Sequence, residues 1–149
     1  MATRQAQTAD EESVRACAED AYTQYVAAIG KKPAPMVADF GHQISNGFVH
    51  VAVNAHDEVD GFIVFFPTDG HMFLENVAVK SSAAGKGVGR QLMALCEAEA
   101  RRQGLSLIRL YTNEKMTENL SIYPHFGYSE TGRREEDGFS RVFFEKKLI

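Results

Sequence analysis

The sequence predicts a mixed α/β domain, one central twisted sheet of parallel and antiparallel strands flanked by helices, in the order β-α-α-β-β-β-α-β-α-β-β. Three observations carry that reading. From Phe48 to Val79 short runs of β-branched and aromatic residues are separated by turn residues, as a series of buried strands requires. From Leu74 to Thr112 a strand leads through a glycine-rich turn into an amphipathic helix and, past Gly104, into another strand, which is the pattern of a right-handed parallel crossover. Near the end, Asp137-Gly138 between two further strand-like runs is a hairpin signal.

Residues 1–7 are predicted to form a short edge strand, and Thr8 with Glu11 has the spacing of a capping box for a helix over roughly residues 9–29. Val14, Ala18, Ala21, Tyr25 and Ile29 give that helix one apolar face, and Gly30 ends it. After the breaker-rich KKPAP, a second short helix carries Met36, Val37, Phe40 and Ile44. FVHVAV and GFIVFF then form antiparallel strands, the second ended by Pro67-Thr68-Asp69-Gly70, and His71 to Val79 is the third strand of the meander. The crossover helix runs through Arg90 to Gln103, with Gly104 as cap and Leu105 to Thr112 as the next strand. A shorter helix from about Thr117 to Tyr123 is stopped by Pro124, and the closing hairpin follows.

A length of 149 residues corresponds to one domain, 1–149, large enough to bury a real core. Sixteen basic against 20 acidic residues give a net charge of −4, which argues against a general nucleic-acid or membrane-surface binder and mildly favours cationic partners. No apolar run approaches the roughly 20 residues that span a bilayer, and MATRQAQTADEE lacks a signal peptide's apolar region, so a cytoplasmic location is expected. The 2 cysteines, Cys17 and Cys96, sit in predicted helices without paired spacing, and the 5 histidines form no metal pattern; no metal is expected.

The functional signal is concentrated between Leu74 and Cys96. Alternate glycines in Gly85-Lys86-Gly87-Val88-Gly89-Arg90 leave backbone N–H groups uncovered at the opening of a helix, where unpaired amides and the helix dipole bind phosphate and Lys86 and Arg90 add charge. A diphosphate suits such a cradle. The dinucleotide fingerprint would need glycine where Arg90 stands, and no P-loop pattern occurs in the chain. Just upstream, Glu75 and Asn76 interrupt an apolar strand, and a polar pair there needs a reason.

The glycine turn resembles motif A of the GNAT superfamily of N-acetyltransferases, Gln/Arg-x-x-Gly-x-Gly/Ala, which grips the pyrophosphate of acetyl-coenzyme A. Gly87 and Gly89 match its glycines, while Ala84 stands where the family usually has glutamine or arginine. About thirty residues on, TENLSIYPHFGY is similar to motif B of the same family, with Asn119, Tyr123 and Phe126-Gly127-Tyr128 meeting its pattern. Asn119 and Tyr123, four residues apart, share one helical face. The resemblance covers roughly residues 48 to 148 and implies the GNAT-like fold, acetyl-CoA as cosubstrate, a pantetheine contact from Asn119, and a tyrosine hydroxyl near the thioester sulfur from Tyr123. It also makes Glu75 comparable to a glutamate found at this place in similar members.

Acyl transfer to an amine sets requirements that these residues can meet. An alkylammonium has a pKa of about 10, so the nucleophile must lose a proton before attack. Glu75 is the candidate base, since burial in an apolar strand would raise its pKa; a wetter face or pairing with Arg109 is the alternative. Strand N–H groups near Val77 and Val79 can receive the oxyanion, and Tyr123 can stabilise the departing thiolate. Cofactor contacts are therefore expected from Val77, Val79, Gly85, Lys86, Gly87, Val88, Gly89, Arg90, Asn119 and Tyr123. Tyr22, Tyr25 and Phe40 are candidates for the acceptor pocket, although aromatics at helical spacing also build cores.

The leading expectation is an acetyl-CoA-dependent N-acetyltransferase acting on a primary amine of a small molecule or peptide by direct attack. A catalytically idle acyl-CoA-binding domain of the same fold is the alternative, and a nucleotide-phosphate enzyme a third reading that the absent loop signatures oppose. The acceptor segments, Tyr22 to Phe40 and Arg133 to Phe139, contain no readable motif. Oligomeric state stays open, with a homodimer common among relatives of this kind.

Overall fold

The computed structural model describes residues 1–148. Strands β1 (Ala2–Gln5), β2 (Val49–Val53), β3 (Val59–Thr68), β4 (His71–Val79), β5 (Leu107–Asn113), β6 (Ser129–Glu136) and β7 (Phe139–Lys147) form one sheet in the spatial order β1-β2-β3-β4-β5-β7-β6. Every neighbouring pair is antiparallel except β4 and β5. That single parallel pair is the predicted crossover, made through helix α4 (Val88–Arg102). Helices α1 (Glu11–Tyr22), α2 (Val26–Ile29) and α3 (Phe40–Ser45) precede β2, and α5 (Thr117–His125) follows β5.

The sheet separates two apolar layers. On one face Leu92, Met93 and Cys96 of α4 pack on Ile63, Phe65, Met72 and Leu110; on the other, Val14 and Ala18 of α1 with Phe40 and Ile44 of α3 pack on Val49, Val51, Phe62 and Val64. Close approach fixes one glycine here. A Cβ on Gly61 would meet the Ala78 carbonyl oxygen at 2.8 Å and Val88 Cγ1 at 3.0 Å, so β3, β4 and the start of α4 close on each other only around a bare backbone. Among the described residues no helix is long and apolar enough to cross a membrane.

Several boundaries differ from the sequence expectation. The long first helix is broken: α1 ends at Tyr22, a 3₁₀ turn spans Thr23–Tyr25, and α2 is a single turn closed by Gly30 in the left-handed region. The Thr23 hydroxyl donates back to the Glu19 carbonyl, a bond that competes with the helix ladder and bends it. At the helix entry Asp10, rather than a Thr8 and Glu11 pair, accepts the Gln7 N–H at 2.7 Å. The second helix starts only at Phe40, with Asp39 as its cap accepting the His42 N–H at 3.1 Å; Met36 lies in a separate 3₁₀ turn and Val37 is exposed.

Pro67 does not end β3, which continues to Thr68 opposite His71. β2 pairs with β3 only as far as Val64, so the missing proline N–H faces an edge and breaks no ladder. Asp69 and Gly70, both at positive φ, make the two-residue turn into β4, and Asp137 with Gly138 does the same between β6 and β7. Pro124 falls within the last turn of α5 rather than stopping it.

Candidate active site

Two irregularities in β4 open the sheet. β4 and β5 pair only through Met72 with Ile108 and Phe73 with Arg109, and beyond that point the two strands diverge. β4 also carries a bulge: Val64 lies opposite Asn76 and Phe65 opposite Leu74, which leaves Glu75 as the extra residue. The bulge reverses the facing of the strand. Met72 and Leu74 pack toward α4, and after the bulge Val77 and Val79 take over that face, while Ala78 joins the α1 layer. The polar pair in the apolar strand thus marks where the phase of alternation changes.

Past the divergence one edge of β4 is uncovered. The Lys80 N–H bonds to the Asp60 carbonyl of β3 at 2.9 Å, so by ladder alternation Asn76 and Ala78 also turn toward β3, and Val77 and Val79 aim their N–H groups away from it, into the opening. The Val77 carbonyl there accepts a hydrogen bond from the Tyr22 hydroxyl at 2.9 Å, and Asn76 Oδ1 is a second acceptor for the same hydroxyl at 2.7 Å. Asn76 Nδ2 donates to the Pro35 carbonyl at 3.0 Å. The break after Tyr22 and the proline loop are therefore both tied to the bulged strand.

On the α4 side lies a groove of about 780 Å³ lined by the glycine turn, Val79, Arg90 and one side of α5. Gly85 and Gly87 have φ of +78° and +81°, and Gly87 caps α4 in the left-handed conformation. Nothing lies within 4 Å of a Cβ at either position, so backbone conformation rather than crowding demands glycine there. Gly89 differs: a Cβ would make only an ordinary 3.7 Å contact with Val79. The first amides of α4 have no partner within the helix and open onto the groove. Arg90 lines it, whereas Lys86 lies on the far side of the turn among residues that include Asp60.

On the other side is a cavity of about 320 Å³, walled by the Pro33 to Pro35 loop, by Asp39 and Gln43 of α3, and by Tyr111 and Arg141 of β5 and β7. Glu75 faces it, and its carboxylate accepts a hydrogen bond from Gln43 Nε2. Burial raises the Glu75 pKa above the ordinary carboxylate value, and the Gln43 bond pulls partly in the opposite direction. Arg109 is not its partner, being paired instead with Glu145 at 3.6 Å. The Arg141 guanidinium lies 4.3 Å from the centre of the Tyr111 ring and is paired with Glu136 at 3.2 Å and Asp137 at 3.5 Å.

Groove and cavity meet through the opening, and four residues line both: Tyr22, Val77, Asn119 and Tyr123. Tyr123 is enclosed by aromatic contacts with Tyr128 and Phe144, and burial pushes its hydroxyl pKa up, so it is a protonated donor at any neutral pH. Burial likewise pushes Tyr22 well above the usual phenol range. Asn119 Nδ2 donates to Thr112 Oγ1 at 3.3 Å, which fixes α5 against the end of β5.

Of the aromatic acceptor candidates, only Tyr22 reaches the cavity beside Glu75. Tyr25 lines the α4-side groove, where burial and then the Glu118 carboxylate raise its pKa. Phe40 is wholly enclosed in the α1 layer, edge-on to Phe62 at 5.5 Å, and lines neither space. Gln43, Tyr111 and Arg141 carry no motif in the sequence and come together only through the tertiary fold. Cys96 and Cys17 are both buried; burial raises the Cys17 pKa to about 12 and that of Cys96 further, so neither is a ready thiolate.

The family described as Acetyltransferase (GNAT) family matches residues 12–128. Probable N-acetyltransferase 14 of Xenopus tropicalis is 28% identical over 93 residues, 61% of this chain and 45% of that protein. The chain therefore spans less than half the length of this curated relative. Among solved structures, a GNAT-family acetyltransferase from Staphylococcus aureus Mu50 superposes with a TM-score of 0.79 at 17% identity, covering 99% of each chain. The PaiA N-acetyltransferase of Thermoplasma acidophilum, solved in complex with coenzyme A, superposes with a TM-score of 0.77 at 18% identity over 99% of this chain and 98% of that one. At such identities the likeness shows the fold.

Proposed function

Because the chain belongs to the acetyltransferase (GNAT) family, we propose that it is an acetyl-CoA-dependent N-acetyltransferase in which a primary amine attacks the thioester directly. The observation that carries this reading is the meeting of a helix-headed groove with an acid-lined cavity at Tyr22, Val77, Asn119 and Tyr123. The groove suits a long, diphosphate-bearing cosubstrate, with the α4 amides on the pyrophosphate and Arg90 adding charge. The cavity suits the amine. Asp39 and Glu75 line it, and its one cation, Arg141, is already paired with Glu136 and Asp137. That balance favours a cationic acceptor over one bearing a free carboxylate.

The thioester supplies an activated acyl group, and the protein's part is proton handling and charge stabilisation. Glu75, raised by burial, takes the ammonium proton directly or through water. The freed nitrogen forms the new C–N bond, and the charge gathering on the acyl oxygen meets the strand N–H groups of Val77 and Val79. The C–S bond then breaks as the nitrogen sheds its second proton, which replaces the one the Tyr123 hydroxyl gives to the leaving sulfur, so that coenzyme A departs as the thiol. Asn119 holds the pantetheine arm. Thiol release from acetyl-CoA across a panel of monoamines, diamines, amino acids and peptides tests the proposal. Amine-dependent release supports it; coenzyme binding without release to any amine leaves an idle acyl-CoA-binding domain.

A further inference from the structure

Glu75 has a half-buried carboxylate, and the manner of its support is unusual. No lysine or arginine pairs with it among the described residues, since Arg109 is paired with Glu145 and Arg141 with Glu136 and Asp137. Its hydrogen-bond partner is a neutral amide, Gln43 Nε2. Gln43 is itself fixed at both ends of its backbone: its N–H donates to the Asp39 carbonyl at 3.1 Å, and its carbonyl accepts the Phe48 N–H at 3.1 Å. Its neighbours on the helix, Phe40 and Ile44, are buried in the core.

Packing does not account for an amide at this position. Gln43 Oε1 is buried without a hydrogen-bond partner, a penalty that leucine or methionine of similar reach would avoid. Exchanging the amide's oxygen and nitrogen would set Oε1 against the carboxylate, so the assignment of Nε2 to Glu75 is the one the charges allow. A neutral donor also differs chemically from a cation at the same place. Lysine or arginine would neutralise the carboxylate and strip its basicity, whereas an amide orients it and leaves its charge available.

We propose that Gln43 is a positioning residue for proton transfer, its Nε2 holding the Glu75 carboxylate toward the acceptor cavity without neutralising it. This rests on Glu75 as the base. The other charged or titratable groups that line the same cavity are Asp39 from α3, Tyr22 from α1, Tyr111 from β5, Tyr123 from α5 and Arg141 from β7. None of them donates a hydrogen bond to Glu75, so loss of the Gln43 donor falls on Glu75 uncompensated.

The test uses Gln43→Met, which keeps reach and loses the donor, with Gln43→Asn, one methylene short, as a second variant should the first fold poorly. Carbon-13 NMR of the labelled Glu75 carboxyl should show its titration midpoint moving upward in either variant, a readout that requires no turnover. With an acetylated amine in hand, kcat/KM should fall roughly tenfold at neutral pH, the acid limb of its profile should move to higher pH, and KM for acetyl-CoA should hold. In a Glu75→Gln background the same Gln43 change should cost nothing further, because the group it positions is gone. An unmoved titration midpoint, or an equal loss in both backgrounds, overturns the proposal in favour of packing. Wild-type rates in Glu75→Gln alone would instead overturn the base assignment beneath it, and absence of amine-dependent thiol release the acetyltransferase reading itself.

Discussion

Under the proposed function, the two sides of β4 recognise their guests by different means. On the α4 side the groups that line the groove and would bind are backbone: helix amides behind Gly85, Gly87 and Gly89, and strand amides of Val77 and Val79, with Arg90 the lysine or arginine that lines it among the described residues. On the other side they are side chains brought from four elements distant in sequence, Asp39 and Gln43 from α3, Glu75 from β4, Tyr111 from β5 and Arg141 from β7. A backbone cradle needs only conformation and empty space, and so tolerates Ala84 in place of a polar residue. A side-chain cavity depends on each member and can be rebuilt for a new guest by changing any of them.

The sharpest way to break this contrast is to fill the cradle. Gly87→Glu places a side chain and a negative charge where the helix amides point, at a φ of +81° that only glycine adopts freely. Coenzyme-induced thermal stabilisation should be lost altogether, while the acceptor cavity is untouched. Gly89→Ala separates the two causes. Its Cβ meets only Val79 at 3.7 Å, so the fold and melting temperature should hold, and any loss of coenzyme affinity reports occupation of the space above the helix. Unchanged affinity in a folded Gly87→Glu would remove the pyrophosphate from this turn.

On the acceptor side the largest effect is expected at Glu75. Glu75→Gln keeps shape and loses the proton acceptor, so kcat/KM for the amine should fall by about a hundredfold near neutral pH, with coenzyme affinity unchanged. The deficit should shrink as pH rises toward the amine's own pKa and more nucleophile arrives already neutral. A pH-independent deficit would mean that Glu75 binds the acceptor rather than deprotonating it.

Where the two sides meet, the effect should be smaller and confined to chemistry. Tyr123→Phe removes one hydroxyl and keeps the ring between Tyr128 and Phe144, so kcat should drop roughly ten- to a hundredfold, limited because an alkyl thiol already leaves tolerably, and KM for acetyl-CoA should change little. Unchanged kcat, with the acyl-transfer step shown to limit turnover, would make the tyrosine a packing residue.

The same division explains what the sequence disclosed. The crossover, the Asp137-Gly138 turn and the glycine turn are local patterns, and each formed where periodicity and turn chemistry placed it. Glu75 and Asn76 stood out as a polar interruption, yet their cause, a bulge that shifts the apolar phase from Met72 and Leu74 to Val77 and Val79, becomes plain only with the register of β3 against β4. Phe40 shows the limit of helical spacing: an aromatic on the right face was drawn into the core once α3 began there. Gln43, Tyr111 and Arg141 had no local signal at all, because what brings them together is contact between elements distant in sequence, such as Gln43 to Glu75, 32 residues apart, and Arg141 to Tyr111. Pro67 was misleading for the same reason, since only the sheet order shows that its missing N–H faces an edge.

The smallest expected effect concerns stability, and it runs opposite in sign to the loss of rate. Burial raises the Glu75 pKa in the folded protein above its unfolded value, so between the two values the folded state binds more protons than the unfolded chain. Stability contributed by this group is therefore fully present below the unfolded pKa and falls as pH rises through the folded one. Above the folded pKa the ionised carboxylate is a net cost, only partly relieved by Gln43. Glu75→Gln removes the charge and still offers a carbonyl oxygen to Gln43 Nε2, so its melting temperature should exceed wild type by a few degrees at pH 7. That gain should vanish in acid, where the wild-type carboxyl is also neutral. The coenzyme-side substitution Gly89→Ala should show no such pH dependence, because its added Cβ would meet only the apolar Val79. A Glu75→Gln variant less stable than wild type at pH 7 would mean that the carboxylate is held by stronger partners than Gln43, and the cavity would then be a structural ion site rather than a poised base.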